Sequence, residues 1–335
     1  MLQAVMSAPR KFTLREVPEP RITGEEECLL EVRACGICGS DMHPYLGEGF
    51  VSTYDRVPGH EFCGTVLEIR SARGDIRRGD KVVINPAVPC FDCELCRRGL
   101  GYVCEQCEVI GGERPGAFCE RIVVPASTLY KLPDDIDFTE AALVEPVAFA
   151  EHCTSGLDGA NVVVIGQGAI GLSCSMVLRY KGASITALDI SDAQLEMAKK
   201  LCGAATVNSG QCEPVEKVKE LMGGRPVDYV IDTVFNQWSV NFALDVLRKG
   251  GTAVTVGVPI KNFEIDAFRM LCREVSLRTR YLYTDEDFAT AVSYIAERKI
   301  DFRPLISKCF PLDRIGEAFA YKASTPSLKV VVTND

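Results

Sequence analysis

The stretch "NVVVIGQGAIGLSCSMVLRYKGA" (161–183) decides the fold of this chain. A short unbroken apolar run stops at closely spaced glycines and resumes as an amphipathic helix, which reads as a strand, a glycine turn and a helix. In "GQGAIG", Gly166 permits the tight turn, Gly168 lets the backbone approach a pyrophosphate, and Gly171 lets helix and strand pack closely. With Ile170 these residues form a phosphate-binding turn, because the free N–H groups and dipole of a helix N-terminus favour negative charge. Asp189 closes the next strand, "SITALD" (184–189), where a carboxylate accepts both ribose hydroxyls of a dinucleotide. The competing reading, Asp189 as a helix cap, is answered by Ser191, which stands as N-cap before "DAQLEMAKKLC". A carboxylate at 189 repels a 2′-phosphate and Ile190, not an arginine, follows it, so NAD is expected rather than NADP.

Further strands follow at "ATV" (205–207), "VDYVID" (227–232), "GTAVTVG" (251–257) and "VSLRTRY" (275–281), with helix-like segments between them. Continuous apolar strands alternating with helices imply a parallel sheet covered on both faces, a doubly wound α/β domain over 148–283. Before it the rhythm differs. "LLEVRACGI" (29–37), "EFCGTVLEI" (61–69), "GDKVVINP" (79–86) and "RIVVPA" (121–126) are short strands punctuated by Gly-Asp and Pro, an all-β unit of barrel type over 1–147. Beyond 283, "DEDFATAVSYIAERK" reads as a helix, and "LISKCFPL" and "LKVVVT" as strands outside the alternation. Residues 284–335 are therefore expected to complete the first domain. The length of 335 residues also favours two domains, since single cores stop growing at about 250–300 residues.

The net charge is −9, with lysine and arginine scattered, so no basic patch offers itself to a phosphate backbone and nucleic acid is not an expected partner. No run of 18 apolar residues is present and the opening "MLQAVMSAPRKFTLREVPEP" has no long apolar core, so neither a membrane span nor a secretion signal is expected. Sixteen cysteines in such a chain read as metal ligands and small core residues of a cytoplasmic protein rather than as a disulfide framework.

"CFDCELCRRGLGYVC" (90–104) sets Cys90, Cys93, Cys96 and Cys104 in one polar loop. Four thiolates satisfy tetrahedral Zn²⁺ and leave no open position, which makes a structural site. An iron–sulfur cluster is the competing interpretation, and nearby Cys107 leaves open which residue closes the set. A second constellation is spread over "CGICGSDMH" (35–43), "VPGHEFCGTV" (57–66) and "VEPVAF" (144–149). Cys38, His60 and Glu61 offer one sulfur, one nitrogen and one oxygen, as a catalytic zinc with an open position requires. Taken singly, each is more often a core or surface residue.

Together, "GICGSD", "GHE", "GDKVV", the four-cysteine lobe, "EP" (145–146) and the glycine turn cover nearly the whole length. In these motifs the chain resembles the zinc-dependent medium-chain dehydrogenase/reductase family. The resemblance implies a GroES-like β-barrel catalytic domain plus a Rossmann domain, two zinc ions per chain and NAD. It also implies that Cys38, His60 and Glu61 ligate the catalytic zinc, and that Glu145 binds the metal directly or through its water, trading roles with Glu61. Asp41 then orients the zinc histidine, and Ser40 and His43 stand where alcohol dehydrogenases have a proton relay. Glu145 in place of a third ligand cysteine resembles the sorbitol, threonine and sugar-acid dehydrogenase branch.

The implied reaction is oxidation of a secondary alcohol of a polyol or sugar acid to the ketone. One thiolate and one carboxylate already neutralise Zn²⁺, so a substrate chelating through vicinal oxygens is expected and ethanol should be poor. Sorbitol dehydrogenases carry an Arg-Tyr pair after the last sheet strand; a gapless alignment from "CREV" (272–275) puts Leu282 and Tyr283 there, with Arg280 two residues earlier. "YDRVPGHEFCG" and "LISKCF" resemble the gulonate and galactonate enzymes, and Tyr45 is expected to border the pocket. L-Threonine 3-dehydrogenase and sugar-alcohol-phosphate dehydrogenase are the alternative activities. A zinc protein that only senses nucleotide and a zinc-free quinone or enoyl reductase are the alternative classes. Family members are dimers or tetramers, so a homo-oligomer joined through the last sheet strands is expected.

Overall fold

In the computed structural model, residues 1–48, 54–259 and 261–334 are described. The chain divides into two units, Met1–Ala148 with Thr284–Asp335, and Phe149–Tyr283.

In the second unit six strands lie in the spatial order Ala205–Asn208, Ser184–Asp189, Asn161–Ile165, Val227–Asp232, Leu247–Thr255 and Ser276–Thr279. Every pair is parallel. The first strand in sequence therefore sits in the middle, and the order runs outward from it in both directions, which opens a crevice at the carboxyl ends of Asn161–Ile165 and Val227–Asp232. Val163, Ile165, Leu188, Val230 and Phe242 belong to the core that holds the sheet and helices together. The last strand is shorter than its sequence suggests, ending at Thr279. Arg280 still donates its N–H to Thr255 O, after which a left-handed Leu282 (φ 48°) turns the chain away.

In the first unit the sheet order is Ile306–Pro311, Lys329–Thr333, Glu27–Gly36, Glu61–Arg70, Lys81–Ile84 and Leu129–Lys131, with Arg121–Pro125 also paired to Glu27–Gly36. Glu27–Gly36 alternates half-buried and buried positions along most of its length, as a strand with one face on a core does. The chain's last strand runs antiparallel to it, with Val331 opposite Gly36. Three elements go beyond the sequence reading. Leu2–Ala8 and Lys11–Glu16 form a hairpin, Gly39–Leu46 is a helix, and Glu145 lies in the first turn of the helix Val144–Thr154. Among the described residues no helix is long and apolar enough to cross a membrane, and no cysteine is joined in a disulfide.

Candidate metal and cofactor sites

Glu27–Gly36 and Glu61–Arg70 pair antiparallel with Gly36 opposite Glu61, so the ladder delivers His60 and Glu61 beside the segment that leads to Cys38. Cys38 is then the N-cap residue of Gly39–Leu46, and Asp41 accepts its backbone N–H at 3.0 Å. The result is a cluster in which Cys38 Sγ, an imidazole nitrogen of His60 and a carboxylate oxygen of Glu61 all lie within 4.8 Å of one another. Gly36 makes room for it: a Cβ there would stand 2.2 Å from Glu61 Oε2.

The electrostatics suit a dication. Burial opposes charge on His60, yet Cys38, Asp41 and Glu145 outweigh it and hold the imidazole well above its ordinary pKa. Asp41 itself is raised by burial although His60 works the other way. Its Oδ1 lies 3.9 Å from His60 Nδ1, too far for a hydrogen bond, so in this structure Asp41 acts on His60 by charge while its other oxygen is engaged by Cys38. Glu145 is outside the tight triplet but near enough to act on His60.

Lys329 escaped the sequence reading. Its Nζ donates to both oxygens of Glu61, at 2.6 and 2.7 Å, and both residues are almost fully buried. The pair is self-consistent: burial opposes charge on each, but Lys329 holds Glu61 below the usual carboxylate range and Glu61 with Cys38 holds Lys329 above the usual amine range. Lys322, close by, is pushed down to about 8 by burial and by Lys329. The expected charge count at the metal therefore lacked one cation. A lysine opening the otherwise apolar strand "LKVVVT" was the available signal.

Ser40 is exposed and His43 half-buried on the same short helix, three residues apart and so on one face. The substrate expectations fare differently. Tyr45 is corrected: it is buried against Phe12 and Phe319, with ring centroids 6.2 and 5.1 Å away, because the helix turns it into the core. Tyr283 is likewise buried, whereas Arg280 is half-buried with its Nε unpartnered.

In the lobe, four of the Sγ separations among Cys90, Cys93, Cys96 and Cys104 are 3.5, 3.6, 3.7 and 3.8 Å. Sulfurs placed about 2.3 Å from one zinc at tetrahedral angles are about 3.8 Å apart, whereas a disulfide requires about 2.05 Å. A cage of this size suits one ion rather than a cluster of irons. Backbone N–H groups of Cys93 and Gln106 point at Cys90 Sγ and Cys104 Sγ, 3.4 and 3.3 Å away. Cys90 is accordingly lowered to about 6 by the N–H groups of Asp92 and Cys93, while burial pushes Cys96 up to about 12. Cys107 is not in the cage and faces Glu108 O.

At the glycine turn, Gly166 is left-handed (φ 82°), and a Cβ on Gly171 would stand 1.8 Å from Gly166 O. Nothing lies within 4 Å of where a Cβ on Gly168 would be, the open cradle a pyrophosphate needs at the N-terminus of Ala169–Tyr180; Ile170 lies in that helix's first turn. Asp189 accepts the N–H of Gln167 at 2.6 Å and that of Ser191 at 2.9 Å, which fixes its carboxylate at the strand end. Ser191 holds the N-cap position, but its side chain makes no capping bond.

A parallel sheet in this order with a glycine turn at its crossover, a buried sulfur–nitrogen–oxygen triplet and a four-thiolate cage define a metal-dependent, nucleotide-linked oxidoreductase. Residues 24–134 match the family described as alcohol dehydrogenase GroES-like domain, and residues 169–297 that described as zinc-binding dehydrogenase. The chain is 30% identical to D-xylulose reductase A of Aspergillus oryzae (strain ATCC 42149 / RIB 40), over 99% of this chain and 96% of the relative. It is also 30% identical to L-galactonate-5-dehydrogenase of Escherichia coli K12, over 91% and 89%. A dehydrogenase of Sinorhizobium meliloti 1021, described as zinc-binding and solved bound to NADP, superposes with a TM-score of 0.91 at 30% identity, over 99% and 98% of the two chains. The chain belongs to the zinc-dependent medium-chain dehydrogenase/reductase family.

Proposed function

We propose that this protein oxidises a secondary alcohol of a polyol or sugar acid to the ketone with NAD⁺, and reduces that ketone in reverse. The observation that carries the reading is the convergence of Cys38, His60 and Glu61 within 4.8 Å of one another, in a chain whose relatives bear the names of a xylulose reductase and a galactonate dehydrogenase.

Cys38, His60 and Glu61 would hold the catalytic ion, with Glu145 beside them, and Cys90, Cys93, Cys96 and Cys104 a structural one. Bound zinc supplies a Lewis acid that lowers the pKa of a hydroxyl, and NAD⁺ accepts a hydride. The remaining work falls to the chain. Asp41 acts by charge beside His60, whose imidazole would be neutral as a ligand, and Lys329 offsets the charge of Glu61, leaving Glu145 to hold water. Ser40, exposed on the face it shares with His43, takes the hydroxyl proton toward solvent. Four acidic groups, Cys38, Asp41, Glu61 and Glu145, stand around His60 against Lys329 and Lys322, a surplus that would largely cancel the charge of a bound dication and so favours a substrate held through two neighbouring oxygens over a simple monoalcohol. Arg280, with an unpartnered Nε, is the candidate for a substrate carboxylate; Tyr45 and Tyr283 are not proposed as contacts.

Gly166, Gly168, Ile170 and Gly171 hold the pyrophosphate and Asp189 the ribose. The fixed carboxylate of Asp189, followed by Ile190, favours NAD over the NADP held by the S. meliloti protein. Sixteen cysteines with no disulfide among the described residues suit the reducing cytoplasm. The sheet edge Ser276–Thr279 and the exposed Phe268 and Leu271 before it suit pairing with a second copy, in a homodimer or homotetramer.

Metal analysis with a substrate panel tests the reading. Two zinc ions per chain are expected, with NAD⁺-dependent oxidation of polyols or aldonates at kcat/KM far above that of ethanol. Absence of zinc, or comparable kcat/KM on ethanol and sorbitol, would overturn it, and preference for L-threonine in the same panel would redirect it.

A further inference from the structure

Asp232 and Thr255 stand directly opposite each other at the ends of the parallel strands Val227–Asp232 and Leu247–Thr255, so their side chains leave the same face of the sheet, about 4.8 Å apart at the backbone. Both are sealed from solvent, at 0% and 2% exposure. Asp232 Oδ1 accepts the N–H groups of Val234 and Phe235, at 3.0 and 2.8 Å, which ties down the turn that leaves the strand. Its Oδ2 and the Oγ1 of Thr255 have no hydrogen-bond partner in the protein. Buried polar atoms are rarely left unsatisfied, so two such atoms on one face, a strand spacing apart, call for a common partner.

Both residues line one narrow cavity, bounded also by Ser276–Thr279 and by the helices Gln237–Val246 and Ala267–Arg273. Its size decides the ligand. The cavity leaves about 10 Å³ to the centre of a water molecule, which is about what one water requires and too little for two. A hydrated cation does not fit, and one carboxylate oxygen with one hydroxyl is too few ligands for a bare Ca²⁺ or Mg²⁺. A purely apolar cavity of this kind would stay dry, whereas two polar atoms are enough to hold a water. We propose that one water molecule is built into this sheet, bridging Asp232 Oδ2 to Thr255 Oγ1. It serves the carboxyl group in either protonation state. It accepts from the acid and donates to the hydroxyl, or donates to the carboxylate and accepts from the hydroxyl. Neither the metal ligands nor the glycine turn takes part, so the site is independent of the reaction proposed above.

Asp232 is the one titratable residue lining the cavity. Burial raises its pKa against the Phe235 N–H, the Ser239 hydroxyl and the Val234 N–H, and no charged side chain acts on it. Its ionisation therefore reports on the water. A crystal structure of the metal-loaded protein, at a resolution that orders solvent, should show one fully occupied water about 2.7–3.0 Å from both oxygens. A direct Asp232–Thr255 hydrogen bond, or no density between the two, overturns the assignment. In solution, the unfolding free energy of each protein minus that of its Asp232→Asn counterpart, followed against pH, locates the step at which the carboxyl ionises. Thr255→Val removes one of the water's two partners and with it the water, so the carboxylate is solvated less and the step should move up by about one pH unit. Thr255→Ser keeps the hydroxyl and should leave the step in place. A step that does not move in Thr255→Val, or moves equally in Thr255→Ser, overturns the bridge. If Thr255→Val does not fold, the crystal structure of the wild type decides alone.

Discussion

Glu61 and Lys329 are 268 positions apart and share two hydrogen bonds in a buried setting. Removing one partner from such a pair leaves a charge that neither water nor protein satisfies, at a cost of about 3–5 kcal/mol. Lys329→Met should therefore lower unfolding free energy by about that amount, and adding Glu61→Gln should restore part of it, as read by denaturant titration. Additive losses in the double variant would show that the two groups are not coupled. Asp232 is a second buried carboxylate with a different lesson. Lacking a cationic partner, it is raised above its ordinary value of 3.8 by burial, although it accepts the N–H groups of Val234 and Phe235. The folded state thus holds the Asp232 proton more tightly than the unfolded chain, so stability present below the unfolded pKa is lost as pH rises through the folded one. Asp232→Asn keeps an oxygen for those N–H groups and removes the charge. Its Tm relative to wild type should be more favourable at pH 7 than at pH 4, and an equal difference at both would refute the account.

Among the elements, the four-cysteine lobe has little apolar content and only short pieces of regular structure, Glu94–Arg97 and Gly101–Val103, to order it. Its order is expected to come from the ion, because thiolates that close around a metal convert binding into folding free energy. Cys104→Ser should reduce zinc from two to one per chain and expose the loop to protease, whereas Cys107→Ser should keep two. Loss of an ion in the Cys107 variant would reassign the cage. The element reading also shows where local pattern fails. Gly39–Leu46 was not legible as a helix, because it carries Pro44 and lies among glycines that normally break one. What starts it is Asp41 accepting the Cys38 N–H, a bond visible only once the chain has turned. The strands were legible, since continuous apolar runs and alternation survive in the sequence, but their ends shifted where hydrogen-bond partners ran out, as at Thr279.

For the molecule as a whole, the sheet edge Ser276–Thr279 is mostly exposed, and the helix before it presents Phe268 and Leu271 at 75% and 77% exposure. Open strands and uncovered apolar side chains invite self-association, and a closed two-fold contact satisfies both. Phe268→Asp combined with Leu271→Asp should shift the protein toward monomer in sedimentation equilibrium, with far-UV circular dichroism unchanged. A wild type that is already monomeric, or a variant that keeps the wild-type mass, would remove this surface from consideration.

The order of apolar runs and glycines was enough to determine the doubly wound sheet, the turn that faces a pyrophosphate and the four-thiolate spacing, because each depends on residues close together along the chain. Cys38, His60 and Glu61 were nameable as donors from their chemistry and the family resemblance. That they lie together, that Gly36 leaves room for the carboxylate, and that Lys329 from the last strand neutralises it were decided by the strand register. The burial of Tyr45 was decided by the packing of its helix against Phe12 and Phe319. Long-range pairing sets those distances and burials, and one-dimensional pattern carries periodicity but not which distant backbone will lie alongside.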